Sequence, residues 1–293
     1  MTVVSLDTPR NRGFWKRQTV RRFMSNRLAV FGVVMILLLT LACIVLPWLL
    51  PFSETYINMA ARHLPPFQQV DHLFGTDPIG RDTLARLLVA GRISLSIGFS
   101  AMVVSMVIGV CVGLVAGFYG GVVGASLMRF VDAMLCFPSI FLILAISALT
   151  SPTIPGIVLL IAATSWMEVA RVVEAQTRSL KSRDYAIAAL AYGAGKSRIM
   201  TREILPNAIA PIIVAATLNV ANAILAESYI SFLGFGIQPP TPSWGNMLNN
   251  AQTYLTSAPW LAIIPGIAIT LAVTSFNFLG DGLRDALDPR ADQ

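Results

Sequence analysis

A chain of 293 residues in which 55% are hydrophobic and 12% charged, with a mean hydropathy of +0.70, is too apolar for an ordinary soluble domain and reads as an all-α polytopic membrane protein. A formal charge of +6 raises the question of nucleic acid, but the basic residues cluster beside apolar runs, which is a topology signal and excludes a nucleic-acid partner. Cys43, Cys111 and Cys136 lie inside apolar runs without metal-ligand spacing and read as small buried hydrophobes.

In chain order, residues 1–27 form a basic N-terminal segment: Arg10, Arg12, Lys16, Arg17, Arg21, Arg22 and Arg27 stand against Asp7 alone, so this end is expected in the cytoplasm. Residues 28–50 are apolar enough to span, since about 20 residues at about 1.5 Å each cross the hydrocarbon core. The run is too long for a signal peptide and has no small-x-small cleavage site before Pro47 and Pro51, so it is expected to stay as the first transmembrane helix. Residues 51–92 are predicted as an external loop that holds both histidines, His63 and His72; with no shared helical face they predict no metal site.

Residues 93–280 hold five further spans, at about 93–116, 127–150, 154–172, 208–233 and 259–280, followed by a cytoplasmic tail over 281–293. Six spans place both termini on the same side of the membrane. The charges agree: seventeen of the 21 basic residues fall on the side of the termini, with Arg62, Arg81, Arg86 and Arg92 outside. The outer loop 234–258 carries no charge, and its prolines, Trp244 and Tyr254 predict a short interfacial helix and turn.

The polar island at 184–206 interrupts this apolar pattern. Asp184 is expected to cap a first helix, the alanines at 186, 188, 189 and 191 to leave its surface smooth, and Gly193 to end it in the left-handed region. Ile199, Ile204 and Leu205 give a second apolar stripe before Pro206. A hairpin of this kind, with a small-residue face, suits docking into a groove on a soluble partner. The run GAGKS at 193–197 imitates a phosphate loop, but the required first glycine is Leu190 and the preceding residues read as helix, so no nucleotide cofactor is predicted.

Four acids lie in or beside the spans. Each costs about 2.5 to 3.5 kcal/mol at the bilayer centre, so each needs a reason. Asp132 and Asp281 fall near the cytoplasmic boundary, where Arg129 or Arg284 can relieve them, and Glu168 has the spacing to pair with Arg171. Glu227 has no basic neighbour in sequence and is expected to face a polar cavity or another helix, either lining a pathway or accepting structural hydrogen bonds. Intramembrane proteolysis by paired aspartates is the weakest reading of this set.

The island resembles the signature of the inner-membrane permeases of binding-protein-dependent ABC importers: Glu-Ala-Ala, three residues, Gly, then a spaced Ile-x-Leu-Pro. Ala188, Ala189, Gly193, Leu205 and Pro206 match at the right spacing, whereas Ile187 stands where the signature has glutamate and Glu203 where it has isoleucine. HLFGTDPIGRD at 72–82, GRISLSIG at 91–98, GFYGG at 117–121, MRFVDAMLCFPS at 128–139, SFLGFGIQPPTPSWGNML at 231–248 and GDGLRDALDPR at 280–290 resemble segments of the second, C-type permease of the dipeptide and oligopeptide systems. The resemblance covers nearly the whole chain and implies the peptide and nickel group of permeases.

It implies a type I importer permease fold in the bacterial cytoplasmic membrane and a non-enzymatic half-channel. The implied partners are a second homologous permease, two ATP-binding subunits and an extracytoplasmic solute-binding protein. Peptides are the implied cargo, with nickel, glutathione, opines or sugars as alternatives. The implied ATPase-coupling residues are Asp184, Ala188, Ala189, Gly193, Ala194, Lys196, Leu205 and Pro206, with Glu227 as a pathway-lining candidate. The competing class is a secondary transporter or channel working alone, for which inverted repeats are expected and not seen.

Overall fold

The computed structural model describes residues 12–150 and 153–287, built from helices joined by short turns and two ordered loops. Asp7, Arg10 and Arg290, used in the charge argument, lie outside the described residues. A first helix, α1 (Arg12–Ser25), stops at Asn26, whose side-chain oxygen accepts from the N–H groups of Leu28 and Ala29 and so starts α2 (Arg27–Val45). The outer surface of α2 exposes Leu37, Leu38 and Leu41, which suits acyl chains, and its end at Val45 passes into a tight turn, Leu46–Trp48, at Pro47.

The predicted loop 51–92 ends at Asp82. There the Asp82 carboxylate accepts from Ala85 N at 2.7 Å and opens α3 (Thr83–Tyr119), so the helix begins at Thr83 and not near 93. Arg86 and Arg92 lowered the local hydropathy without ending the helix, because a helix can continue past the apolar layer. α3 is followed by α4 (Gly121–Leu135) and α5 (Ser139–Thr150), two halves of the third apolar run, bent by 74° across Cys136, Phe137 and Pro138. Among the described residues, counting that pair as one span, six helical passes are long and apolar enough to cross a membrane; counting straight helices alone, five are. Cys43 is buried as expected, but Cys111 and Cys136 are exposed, the latter at this bend.

The longest contact in the fold joins α3 to α6 (Ile154–Lys181). Gly109, Gly113 and Gly117 recur every four residues on one face of α3, and a Cβ at these positions would stand 2.6 to 2.7 Å from Val169, from the Ala170 carbonyl oxygen and from the Glu174 carbonyl oxygen. The absent side chains let the two backbones approach, the close-packed arrangement small residues allow in membranes. Gly113→Leu is therefore expected to force α3 and α6 apart, at about 1 to 3 kcal/mol of overpacking, and to lower the unfolding temperature in detergent. Gly266, in the last helix, has open space around its Cβ position, and Gly266→Ala in the same assay is expected to be neutral or stabilising.

After α6 come α7 (Asp184–Ala191) and α8 (Lys196–Arg198), the latter running into a wide turn, Ile199–Ile204, and a tight one, Leu205–Asn207. α9 (Ile209–Phe232) returns through the apolar layer, α10 (Trp244–Ala251) lies across its far end, and α11 (Trp260–Leu287) closes the bundle against α2 and α9. α10 is the helix expected in loop 234–258, but Trp244 is not an interfacial anchor: it is buried against Cys43, Ala90, Val220 and Ile224, and its indole N–H donates to the Leu87 carbonyl at 3.1 Å.

Candidate functional sites

The hairpin between α6 and α9 is built from two sequence devices. α7 ends at Tyr192 with Gly193 at φ +77°; Gly193 N donates to Leu190 O and Ala194 N to Ala189 O, both at 3.0 Å, so two otherwise orphaned carbonyls are satisfied by the left-handed glycine cap. The second device is Pro206, which offers no N–H to the preceding turn; the backbone widens over Ile199–Ile204 before it. Asp184 does not cap α7. Arg183 occupies the cap position, and the Asp184 carboxylate sits in the first turn, where it favours the helix dipole only.

The alanines divide between two faces. Ala186 is buried and Ala189 and Ala194 pack inward with Ile199, Ile204 and Leu205 against Phe118, Val169 and Val173. Outward stand Ala188 with Ile187, Leu190 and Tyr192, the last three 54%, 58% and 92% exposed. The expected smooth, small-residue face is thus interrupted by large apolar side chains, and Ile187 is one of them. Partial burial raises the Tyr185 phenol above its ordinary value, with Arg183 opposing and Glu203 adding, so it stays neutral beside this patch.

Two lysines fasten the hairpin to the end of α3. Lys181 Nζ donates to the Phe118 carbonyl and lies 5.2 Å from the Phe118 ring centre, and Lys196 Nζ lies 5.3 Å from that of Tyr119. Lys196, expected among residues facing the partner, therefore also holds the hairpin to its own scaffold. Gly193–Gly195 lie between two helices, and Lys196 and Ser197 already belong to α8, so the phosphate-loop context of strand, loop and helix is not met.

Glu227 is fully buried in α9. Its carboxylate accepts from Ser94 Oγ of α3 at 2.8 Å and from Ser231 Oγ, one turn along α9, at 2.7 Å; Ser243, just before α10, is a third hydroxyl donor beside it. Ser94 Oγ in turn accepts from Trp244 N at 3.3 Å and Ser231 Oγ from Ile237 N at 3.1 Å. One carboxylate thus ties α3, α9 and the loop that carries α10 into a polar node. These are the hydrogen bonds that the structural reading of Glu227 calls for. Ser231, four residues after Glu227, was the visible signal for it.

The other acids are rearranged as well. Arg171 pairs with Asp132, 39 positions away, its Nε 3.2 Å from Oδ1, and not with Glu168. Glu168 instead borders a groove of about 720 Å³ between α6, α9 and the end of α11, together with Asn219, Asn222 and Arg284. Asn219 Oδ1 is buried there without a protein partner. This polar-edged groove, whose residues are scattered over three helices, could not be assembled from sequence spacing.

These helices, the broken third span and the hairpin define a multi-pass membrane protein with a structured loop at one surface. Residues 109–293 match the model of the binding-protein-dependent transport system inner membrane component, and residues 13–66 that of the N-terminal transmembrane domain of oligopeptide transport permease C. The chain is 40% identical over 277 residues to a peptide permease protein of Brucella suis, covering 94% of this chain and 91% of that one. It is also 40% identical over 275 residues to the dipeptide transport system permease protein DppC of Haemophilus influenzae, covering 92% and 93%. The chain belongs to the binding-protein-dependent inner-membrane permeases of ABC importers, a family of transport proteins and not of enzymes.

Proposed function

We propose that the chain forms half of the translocation pathway of an ATP-driven importer for di- or oligopeptides, paired with a second homologous permease. Two ATP-binding subunits dock at the hairpin and carry out hydrolysis, and a solute-binding protein delivers cargo at the opposite surface. Both termini and the hairpin lie in the cytoplasm, which is supported by seventeen of the 21 basic residues falling on that side. The peptide cargo is supported by the names of the relatives.

The observation that carries the reading is the exposed Ile187, Leu190 and Tyr192 surface on a hairpin whose other face is fixed to α3 and α6. Large apolar anchors on a rigid support are what a partner's groove takes, and Arg198 and Arg202 nearby add electrostatic complementarity. Closure of the ATPases shifts the population between inward and outward access only if the hairpin contacts differ between the two states. The groove bordered by Glu168, Asn219, Asn222 and Arg284 extends to Leu180 and Asn207 beside the hairpin and is the pathway-lining candidate in place of Glu227.

A cysteine placed at the exposed Ala188, with Cys111 and Cys136 replaced by serine, tests the docking. A crosslink to the ATPase that depends on Ala188→Cys is expected, together with loss of radiolabelled dipeptide uptake when the ATPases are deleted. Uptake that persists without them would make the chain a stand-alone transporter. Uptake of nickel and not of peptide would overturn the cargo while leaving the permease role.

A further inference from the structure

At the end of the bundle opposite the hairpin, the loop before α3 and the residues around α10 enclose a cavity of about 520 Å³. Its polar lining includes Asp77, Arg81, Thr83 and Arg86, and its apolar lining includes Met247 and Leu261. Asp77 is already occupied: it accepts from Arg81 Nε at 2.6 Å and from the N–H groups of Ile79 and Arg81 at 3.0 and 2.9 Å. Arg86 is only 4% exposed, yet its contacts are long, Nε 3.8 Å from Asp77 and one terminal nitrogen 3.5 Å from the Glu54 carbonyl oxygen. A guanidinium has five donors in a planar fork, and burying it with so little partnered leaves unmet capacity.

Thr83, three residues before Arg86 and so on the same face of α3, is buried with its hydroxyl unpartnered and borders the same cavity. The cavity therefore presents a forked cation and a free hydroxyl together with apolar side chains; its lining charges Arg81, Arg86 and Asp77 sum to one positive charge, with the Glu54 carboxylate acting on Arg86 from outside the lining. A guanidinium pairs bidentately with a carboxylate, whose planar pair of oxygens matches its fork of N–H donors. We propose that this cavity binds the free α-carboxylate of a short peptide, with Arg86 and Thr83 as its donors and the apolar side chain of the terminal residue against Met247 and Leu261. The carboxylate chemistry stands on the cavity alone; the peptide as its carrier rests on the function proposed above.

The test uses the full chain in lipid nanodiscs, without solute-binding protein or ATPase, and the dipeptide Ala-Phe against its C-terminal amide by calorimetry. The free acid is expected to bind at least about 10-fold more tightly than the amide, a difference lost in Arg86→Gln. Thr83→Ala leaves no new orphaned group, and is expected to weaken the acid several-fold and leave the amide unchanged. Equal binding of acid and amide, or no effect of Thr83→Ala on the acid, overturns the site. Binding of acetate with the same dependence on Thr83 and Arg86, without any gain from the dipeptide, overturns the peptide occupant. Because no uptake or hydrolysis is measured, failure here is separate from failure of the transport reading.

Discussion

Gly193→Val is expected to abolish ATPase co-purification and uptake while leaving the membrane bundle folded. Gly193 sits at φ +77°, and no atom beyond its chain neighbours lies within 4 Å of where its Cβ would be, so the substitution acts chiefly through the backbone. A side chain in the left-handed region costs about 1 to 2 kcal/mol, more for a β-branched one, which shifts the capped hairpin against its open forms by about 5- to 30-fold. Opening releases the two glycine-cap hydrogen bonds and lets the Ile187, Leu190 and Tyr192 surface move away from the position held by Lys181 and Lys196. Gly193→Asn, which tolerates this region, is expected to retain most activity. Normal uptake and normal co-purification in the valine variant would sink the coupling role of the hairpin.

The second large effect is expected at Glu227. Glu227→Leu strands the Ser94, Ser231 and Ser243 hydroxyls in a buried site, at about 1 to 3 kcal/mol for each group left unsatisfied, and removes the tie between α3, α9 and the α10 loop. Glu227→Gln keeps an acceptor and offers a donor to a hydroxyl that can rotate, so it should be far milder. Cys43 is the reporter, since it packs in the cluster beneath Trp244. With Cys111 and Cys136 replaced, thiol labelling of Cys43 is expected to rise at least about 10-fold in Glu227→Leu, one factor of ten for each 1.4 kcal/mol, and little in the glutamine variant. Unchanged labelling in both would show that α10 is held by apolar packing alone.

The apolar spans were legible because a membrane helix must satisfy its backbone internally and cover itself with hydrocarbon, a demand that leaves little freedom in composition. Gly193 was legible for a similar reason: few residues serve at that φ. What spacing misjudged were the long-range partners. Glu168 and Arg171 share a helical face, yet Arg171 turns to Asp132, and the third span breaks beside Pro138 by an angle no hydropathy plot contains. Trp244 had the character of an interfacial anchor but is drawn inside by Leu87 and Cys43, which are remote in sequence. The Thr83 and Arg86 cavity was hidden because the arginine counted as loop.

The glycine stripe on α3 has a mechanical corollary. With 37 residues, α3 is a single unbroken rod of about 55 Å, longer than the hydrocarbon layer of about 30 Å, and it is clamped side by side to α6. Lys181 and Lys196 grip one tip, and the Asp82 cap and Arg86 cavity sit at the other. Leverage follows: pivoting such a rod by about 10° at one tip swings the other by about 10 Å. A push on the hairpin end of the rod would thus displace its other end with no chain of individual side-chain rearrangements between.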